Sequence, residues 1–422
     1  MPARSSRRST HKSIFDPVHG PIRLEGVALA LVGTPEFQRL WGIRQTGLAH
    51  LVFPGANHTR LEHSLGTYWV ATQMAARLDL AEADTARVAA GALLHDLGHG
   101  PFSHTLDTPM QEVLGYGHEQ LSRARIEGTE RAGLDEPPAV PEVLRRFDLE
   151  PRAVADLIDP PARRGASGLL QQALHGPIDA DRIDYLQRDA YYTGVGHGAI
   201  DAVRLLDTVR SEAGSLVFAE KGRSAVEGFL VGRALMYASV YFHKTVRAAE
   251  MMAQAAVERS AGFPESARPL FALTDGEFLA RMRDAGGASE AFARGLLARR
   301  LYKRAAGRTS LTGRERSRWE RLVTRPAERR SLEDELALGA KVSAGSVLLD
   351  VAMLDSREPP EDDWAGVGLW TGERTVYPFR GPSPWRTLAT RPPSEWAVSV
   401  YAAPRAVASV ARYVGRDPRA LP

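Results

Sequence analysis

Histidine and acidic side chains are unevenly spread along this chain: six of its twelve histidines fall between positions 58 and 118, most of them beside Asp, Glu or Arg. In TRLEHSLG, Arg60 and His63 stand three apart. On a helix that spacing puts a guanidinium suited to phosphate and an imidazole suited to a metal on one face. His95 and Asp96 close the apolar-periodic stretch DTARVAAGALLHD, and two neighbouring side chains converge on one ion only from a helix end, which Gly98 marks. Two imidazoles and one carboxylate call for a further carboxylate, with water in the remaining positions. Asp181 is the best candidate, in IDADRIDYLQRD, where Asp181, Tyr185 and Asp189 recur every four residues and share a helical face. There is no cysteine, so any metal must be held by His, Asp or Glu. Taken singly, an HD pair or a helical Asp is ordinary surface or capping material. Together they put more ionisable groups into apolar-patterned text than a core tolerates without use.

The elements that must position these residues read as mainly α. From Thr34 to about Met252, stretches such as TPEFQRLWGI and TRLEHSLGTYWVATQMAARL carry apolar residues at spacings of three and four, and strand patterns are scarce. We expect a disordered basic tail over 1–13, a helical core over 14–260 with a surface excursion at 127–161, and a helical extension over 261–340. The extension has Thr274 or Asp275 as a helix N-cap. Over 341–422, short apolar runs between Pro, Gly and acidic turns predict a small α+β region. At 422 residues and 44% hydrophobic content, the chain can bury a large core. A net charge of +3 does not by itself indicate nucleic acid. The basic N-terminus lacks the apolar stretch of a secretory signal, and no apolar run is long enough to span a bilayer, so a cytoplasmic protein without membrane contact is expected.

The motifs extend well beyond the metal set. They include DPVHGPIRL (16–24), TPEFQRL (34–40), VFPGANHTRLEHSLG (52–66), ALLHDLGHGPFSH (92–104), GHEQ (117–120), IDADRIDYLQRDAYYTGV (178–195), YFHK (241–244) and LTDGEFLARM (273–282), with weaker echoes in LYKR (301–304) and VSVY (398–401). In these the chain resembles the HD-domain deoxynucleoside triphosphate triphosphohydrolases (dGTPase-like enzymes). The similarity is to the branch of the vertebrate SAM-and-HD-domain enzyme, without that enzyme's SAM domain. The resemblance covers most of the chain. It implies an HD-domain helical core and a divalent metal on His63, His95, Asp96 and Asp181. It further implies that Arg60, His99, His104, His118, Arg182, Tyr185, Arg233 and Tyr241 surround a triphosphate, and that Gln45 and Asp189 approach the sugar. Arg233, Tyr237 and Tyr241, four apart, are expected to face one way from one helix. The implied reaction releases a deoxynucleoside and inorganic triphosphate from a dNTP. His104 is expected as the acid for the leaving oxygen, Asp107 as its orienting partner, and His118 or Glu119 as sharing the role.

The sequence also departs from that family. Regulated members place an aspartate before TPxFQRL and an arginine after it to recognise a guanine effector; here those positions are Gly33 and Trp41, which cannot make the same contacts. Guanine-nucleotide activation and an effector-driven tetramer are therefore not expected, leaving a monomer or another homo-oligomer. Arg182 replaces a lysine near the triphosphate and keeps its charge. Residues 299–330 hold twelve Lys or Arg against three Glu, a candidate for weak nucleic-acid contact whose simpler reading is a solvated helix face. Two alternatives stay open: an HD phosphodiesterase or nucleotidase on other phosphate esters, and a nucleotide- or nucleic-acid-binding module with an inert site. The donor set suits Mn, Fe, Mg, Co, Ni or Zn, and the sequence does not choose among them.

Overall fold

The structure is a computed structural model that describes residues 11–130, 139–160, 168–309, 311, 313–351, 364–380, 397–416 and 421. It is mainly α, with small sheets and an α+β C-terminal region. Three helices carry the metal-type residues, and their ends are set locally. Helix Arg60–Arg77 begins with a capping box: the Thr59 hydroxyl accepts from the Glu62 amide, and the Glu62 carboxylate accepts from the Thr59 amide at 2.6 Å. Helix Ala180–Thr193 begins at Asp179, whose carboxylate accepts from the Arg182 amide at 2.7 Å, and ends at left-handed Gly194. Helices Ala180–Thr193 and Glu82–Leu94 both pack on helix Arg60–Arg77, through Leu61, Leu65, Leu93, Leu94, Ile183 and Leu186. Each such side chain contributes about 1.5–3 kcal/mol on burial.

Two glycines permit the close approach of these elements. A Cβ on Gly66 would lie 1.9 Å from an Asp184 carboxylate oxygen, and one on Gly98 would lie 2.0 Å from the His118 carbonyl. Gly98 thus works by close packing against helix His118–Glu127 rather than as a left-handed helix end.

The strands hold several departures from the sequence reading. β1 (His11–Asp16) pairs antiparallel with β2 (Gly20–Glu25), so order starts inside the segment read as a tail. β3 (Val209–Glu212) and β4 (Ser215–Ala219) form a hairpin within the region read as helical. β4 also pairs parallel with β7 (Leu369–Trp370), which pairs with β8 (Thr375–Val376). A second sheet runs β5 (Lys303–Arg308), β9 (Val398–Ala402), β6 (Val347–Asp350), all antiparallel. β5 lies inside the stretch read as a helical extension, because its partner is about ninety residues away and leaves no local pattern. The C-terminal region therefore shares its sheets with earlier segments. Thr274, rather than Asp275, is the N-cap of helix Asp275–Asp284.

The basic stretch 299–330 divides among β5, helix Gly313–Thr324 and the start of helix Pro326–Gly339. Arg308, Arg316, Arg325, Arg329 and Arg330 pair with carboxylates, and Arg329 is buried between Glu258 and Glu333. Among the described residues no helix is long and apolar enough to cross a membrane.

Gly66→Ala is expected to lower stability by more than about 3 kcal/mol, since its Cβ collides with a buried carboxylate and guanidinium. Gly228→Ala, exposed mid-helix with nothing within 4 Å, should be neutral or raise stability by up to about 1 kcal/mol. Urea denaturation of both variants checks the contrast.

Candidate metal and phosphate site

His63, on the first turn of its helix, and His95, just past the end of the next, present their Nε2 atoms 3.2 Å apart. Each imidazole is aimed through its other nitrogen. His63 Nδ1 donates to Asp184 Oδ2 at 2.7 Å, and His95 Nδ1 donates to the Ala92 carbonyl at 2.8 Å. Asp181 Oδ1 lies 2.9 Å from His63 Nε2 and 3.6 Å from His95 Nε2; Asp96 Oδ1 lies 3.3 Å from His95 Nε2. Two imidazole nitrogens this close between two carboxylates can share either a proton or a metal ion. The set fits a divalent ion of borderline hardness, and the His63, His95, Asp96 group is compact enough to hold one. In the free protein a proton supplies the charge. Burial opposes it, but hydrogen bonds to Asp181 and Asp184 raise the His63 pKa to about 10. The Asp181 carboxyl, despite burial, is held well below the usual range by His63 and His95.

Behind the donors stands a layer that sequence reasoning did not assign. Asp184 is fully buried and accepts from Arg188 through Nε and Nη2, both at 2.9 Å, and from His19 Nε2 at 2.6 Å. Arg188 reaches on to Asp16 at 2.7 Å, and His19 stacks on Trp69 with ring centroids 4.5 Å apart. This is the carboxylate–histidine arrangement that fixes a ligand's tautomer and orientation. The signal was available: Asp184 and Arg188 are four apart in IDADRIDYLQRD, and Asp16 and His19 lie in the DPVHG motif.

A second histidine group adjoins the first. The His99 and His118 rings stack with centroids 3.9 Å apart, and His104 meets both edge-on at 4.7 and 5.0 Å. Asp107 bridges His104 Nδ1 at 2.9 Å and His118 Nδ1 at 3.4 Å. Their charges differ. Burial, reinforced by Arg60 and His118, holds His99 well below its ordinary pKa; burial also lowers His104 in spite of Asp107. His118 is raised, because Asp107 and Glu119 outweigh its burial, and burial raises the neighbouring Glu119 carboxyl. Within this group His118 therefore holds a proton more readily than His99 or His104. His104 is delivered by a turn in which Phe102 and Ser103 both have left-handed φ, +56° and +57°, at about 1–2 kcal/mol each. The Ser103 hydroxyl accepts from Arg60 Nε and donates to the Arg44 carbonyl, both at 2.7 Å, and Arg60 also bonds Asp96 Oδ2 at 2.5 Å.

Both groups open into one cavity of about 900 Å³, lined also by Gln45, Glu119, Arg182, Tyr185, Arg233 and Tyr237. Arg233 Nε reaches the Tyr185 hydroxyl at 3.4 Å and its guanidinium lies over the Tyr237 ring. The helix Arg223–Met236 passes into a π-helical turn, Tyr237–Tyr241, so Tyr237 and Tyr241 meet edge-on at 5.0 Å instead of continuing one regular α-face. A smaller adjoining cavity, about 90 Å³, is lined by Gln45, Thr46, Thr105, Asp189 and Tyr241. Buried Gln45 Oε1, Thr46 Oγ1 and Thr105 Oγ1 have no protein partner there. Asp189 accepts from His58 Nε2 at 2.7 Å and from the Tyr241 hydroxyl, so both its oxygens are already engaged. His175, also unassigned from sequence, lines the larger cavity with an unpaired Nε2; burial lowers its pKa to about 4, so it is neutral.

A helical cage that aims histidines from two helices, an HD pair and a later helical aspartate at one point defines a metal-centre protein of the HD class. The sequence signature of the HD domain matches residues 60–189, and that of the HD associated region matches residues 200–416; the chain belongs to this HD-domain family. It is 39% identical over 250 residues to an uncharacterised protein of Methanocaldococcus jannaschii, covering 58% of this chain and 49% of that one. It is 31% identical over 217 residues to the deoxynucleoside triphosphate triphosphohydrolase SAMHD1 of Homo sapiens, covering 44% of this chain and 34% of that one. The chain spans about half the length of the first curated relatives it matches. Among solved structures it resembles a hypothetical protein from Aquifex aeolicus, with a TM-score of 0.72, 26% identity, and coverage of 96% of this chain and 100% of that one.

A metal ion bound at His63 must displace its proton, so apparent affinity for Mn²⁺ should rise about tenfold per pH unit between about pH 6.5 and 8.5 and weaken in acid. Calorimetric titrations that show no such slope would remove His63 from the ligand set. Asp184→Asn should lower the affinity about 10- to 100-fold by releasing the His63 ring.

Proposed function

We propose that this protein hydrolyses deoxynucleoside triphosphates to a deoxynucleoside and inorganic triphosphate, with a divalent metal at His63, His95, Asp96 and Asp181. The observation that carries the reading is that His95, Asp96 and Asp181, with buried His63 directly behind them, and the His104–Asp107–His118 group open into the same cavity as Arg60, Arg182 and Arg233. The similarity to SAMHD1, named for that activity, supports the substrate class. When bound, the metal supplies Lewis-acid polarisation of the α-phosphate and lowers the pKa of the attacking water.

The chain's own residues account for the other requirements. Arg60, Arg182 and Arg233 meet a polyanion with fixed positive charge, and the Tyr185 and Tyr237 hydroxyls add donors. Neutral His99 turns its Nε2 to Asp96 Oδ1 at 3.3 Å, which leaves its unpaired Nδ1 as an acceptor facing the cavity group. As water oxygen joins the α-phosphorus, the bond from that phosphorus to the 5′ oxygen breaks, and the leaving oxygen takes a proton from the His104–Asp107–His118 group. Within the group the proton is held most readily at His118. The anionic phosphates favour a charged His104 as they approach, with Asp107 hydrogen-bonded to His104 and 3.4 Å from His118. Glu119, kept more neutral by burial, lies beside His118 as a reserve proton. Gln45, Thr46 and Thr105 provide the unpaired polar atoms that a sugar hydroxyl would satisfy, while Asp189 acts on the sugar through Tyr241. The arginine pairs within 299–330 give no support to a nucleic-acid surface there.

Incubation with each dNTP and Mn²⁺ should release inorganic triphosphate; monophosphate with pyrophosphate as sole products would favour a nucleotidase instead. His95→Ala and Asp96→Ala should lose metal and turnover together. His118→Asn should lower kcat by about 10² to 10⁴ while metal occupancy is retained.

A further inference from the structure

From the HD associated region one carboxylate reaches across to both walls of the nucleotide cavity. Asp275, 2% exposed and at the first position of helix Asp275–Asp284, accepts from the Phe102 amide through Oδ1 at 2.7 Å and from the Arg44 amide through Oδ2 at 3.0 Å. Phe102 opens the left-handed pair whose next residue but one is His104; Arg44 immediately precedes Gln45. The two segments are joined again where the Ser103 hydroxyl donates to the Arg44 carbonyl. The approach is close throughout. A Cβ on Gly42 would strike the Thr274 side chain at 2.3 Å, and one on Gly47 would meet the Phe102 carbonyl at 2.8 Å. Arg39 completes the junction by donating to the carbonyls of His99, Phe271, Ala272 and Leu273.

We infer that Asp275 is a positioning residue for the reaction proposed above, holding the left-handed Phe102–Ser103 turn and the Arg44–Gln45 segment in register so that His104 and Gln45 face the same nucleotide. The inference rests on that reading for its kinetic consequence but not for its structural one. A non-glycine residue leaves the left-handed region readily unless its surroundings over-determine it. Here the Phe102 amide has one partner, and it is this carboxylate. An amide side chain can accept only through its single oxygen, so Asn at 275 turns an N–H toward one of the two backbone donors.

Metal-loaded Asp275→Asn should lower kcat about 10- to 100-fold with KM changed by less than about threefold and Mn²⁺ affinity unchanged, since a misplaced acid slows chemistry without removing the arginines. Hydrogen exchange should quicken selectively over 43–47 and 99–105, not over helix Arg60–Arg77. Glu277→Ala, which removes the capping box at the same helix start without touching Phe102, should keep kcat near the parent value. Equal kcat loss in both variants, uniform exchange across the chain, or loss of metal in Asp275→Asn would overturn the assignment. If the parent protein releases no triphosphate, the proposed reaction fails, and the exchange pattern alone still decides whether Asp275 holds the turn.

Discussion

Asp184 is a carboxylate with no exposure, and the metal-type centre depends on its being there. An isolated charge at that depth costs several kcal/mol, so it persists only with its partners in place. Arg188 binds both its oxygens, His19 adds a second contact to Oδ1, and His63 shares Oδ2 with Arg188 Nε. Because Arg188 also reaches Asp16, the network spans the β1–β2 hairpin, helix Arg60–Arg77 and helix Ala180–Thr193. The bare backbone at Gly66 allows those two helices to close on it. Orientation of the His63 ring is thus a property of the whole core.

From that anchor, charge is graded across the cavity. His63 is held protonated by two carboxylates, and His118 is raised by Asp107 and Glu119. His99, His104 and His175 are kept neutral by burial. The imidazoles in and behind the cavity therefore do not act alike. Two mark where positive charge is stabilised, and the others supply neutral donors and acceptors.

The associated region does more than cover this centre. Arg247 bonds Asp350 and Glu250, and Arg329 bonds Glu258 and Glu333, so helix Lys244–Glu258 is tied through buried ion pairs to β6 and helix Pro326–Gly339 on the far side of the cavity. Removing one member of such a pair leaves an uncompensated buried charge, which keeps these elements of the associated region in fixed relation. Arg39 and Asp275 join that region to the HD domain through hydrogen bonds to backbone near His99 and Phe102.

Helical periodicity, the N-cap candidate at Thr274, and the local pairs Arg60–His63 and His95–Asp96 are properties of neighbouring residues, and these were legible in the sequence. So was the mainly α class, since amphipathic spacing is local. Other features were decided by residues far apart in the chain. β5 was hidden because its partner is β9; the Tyr237–Tyr241 stretch kept a spacing of four while its turn widened; and Asp189, expected beside the sugar, is engaged by His58 and Tyr241. The same holds for protonation: nothing in HDLGHGPFSH distinguishes His104 from His118, and their pKa values part only because burial and Asp107 act on them to different degrees. Residue type and spacing determine which groups are available; desolvation and long-range contacts, which exist only in the folded chain, decide which of them are charged and where they point.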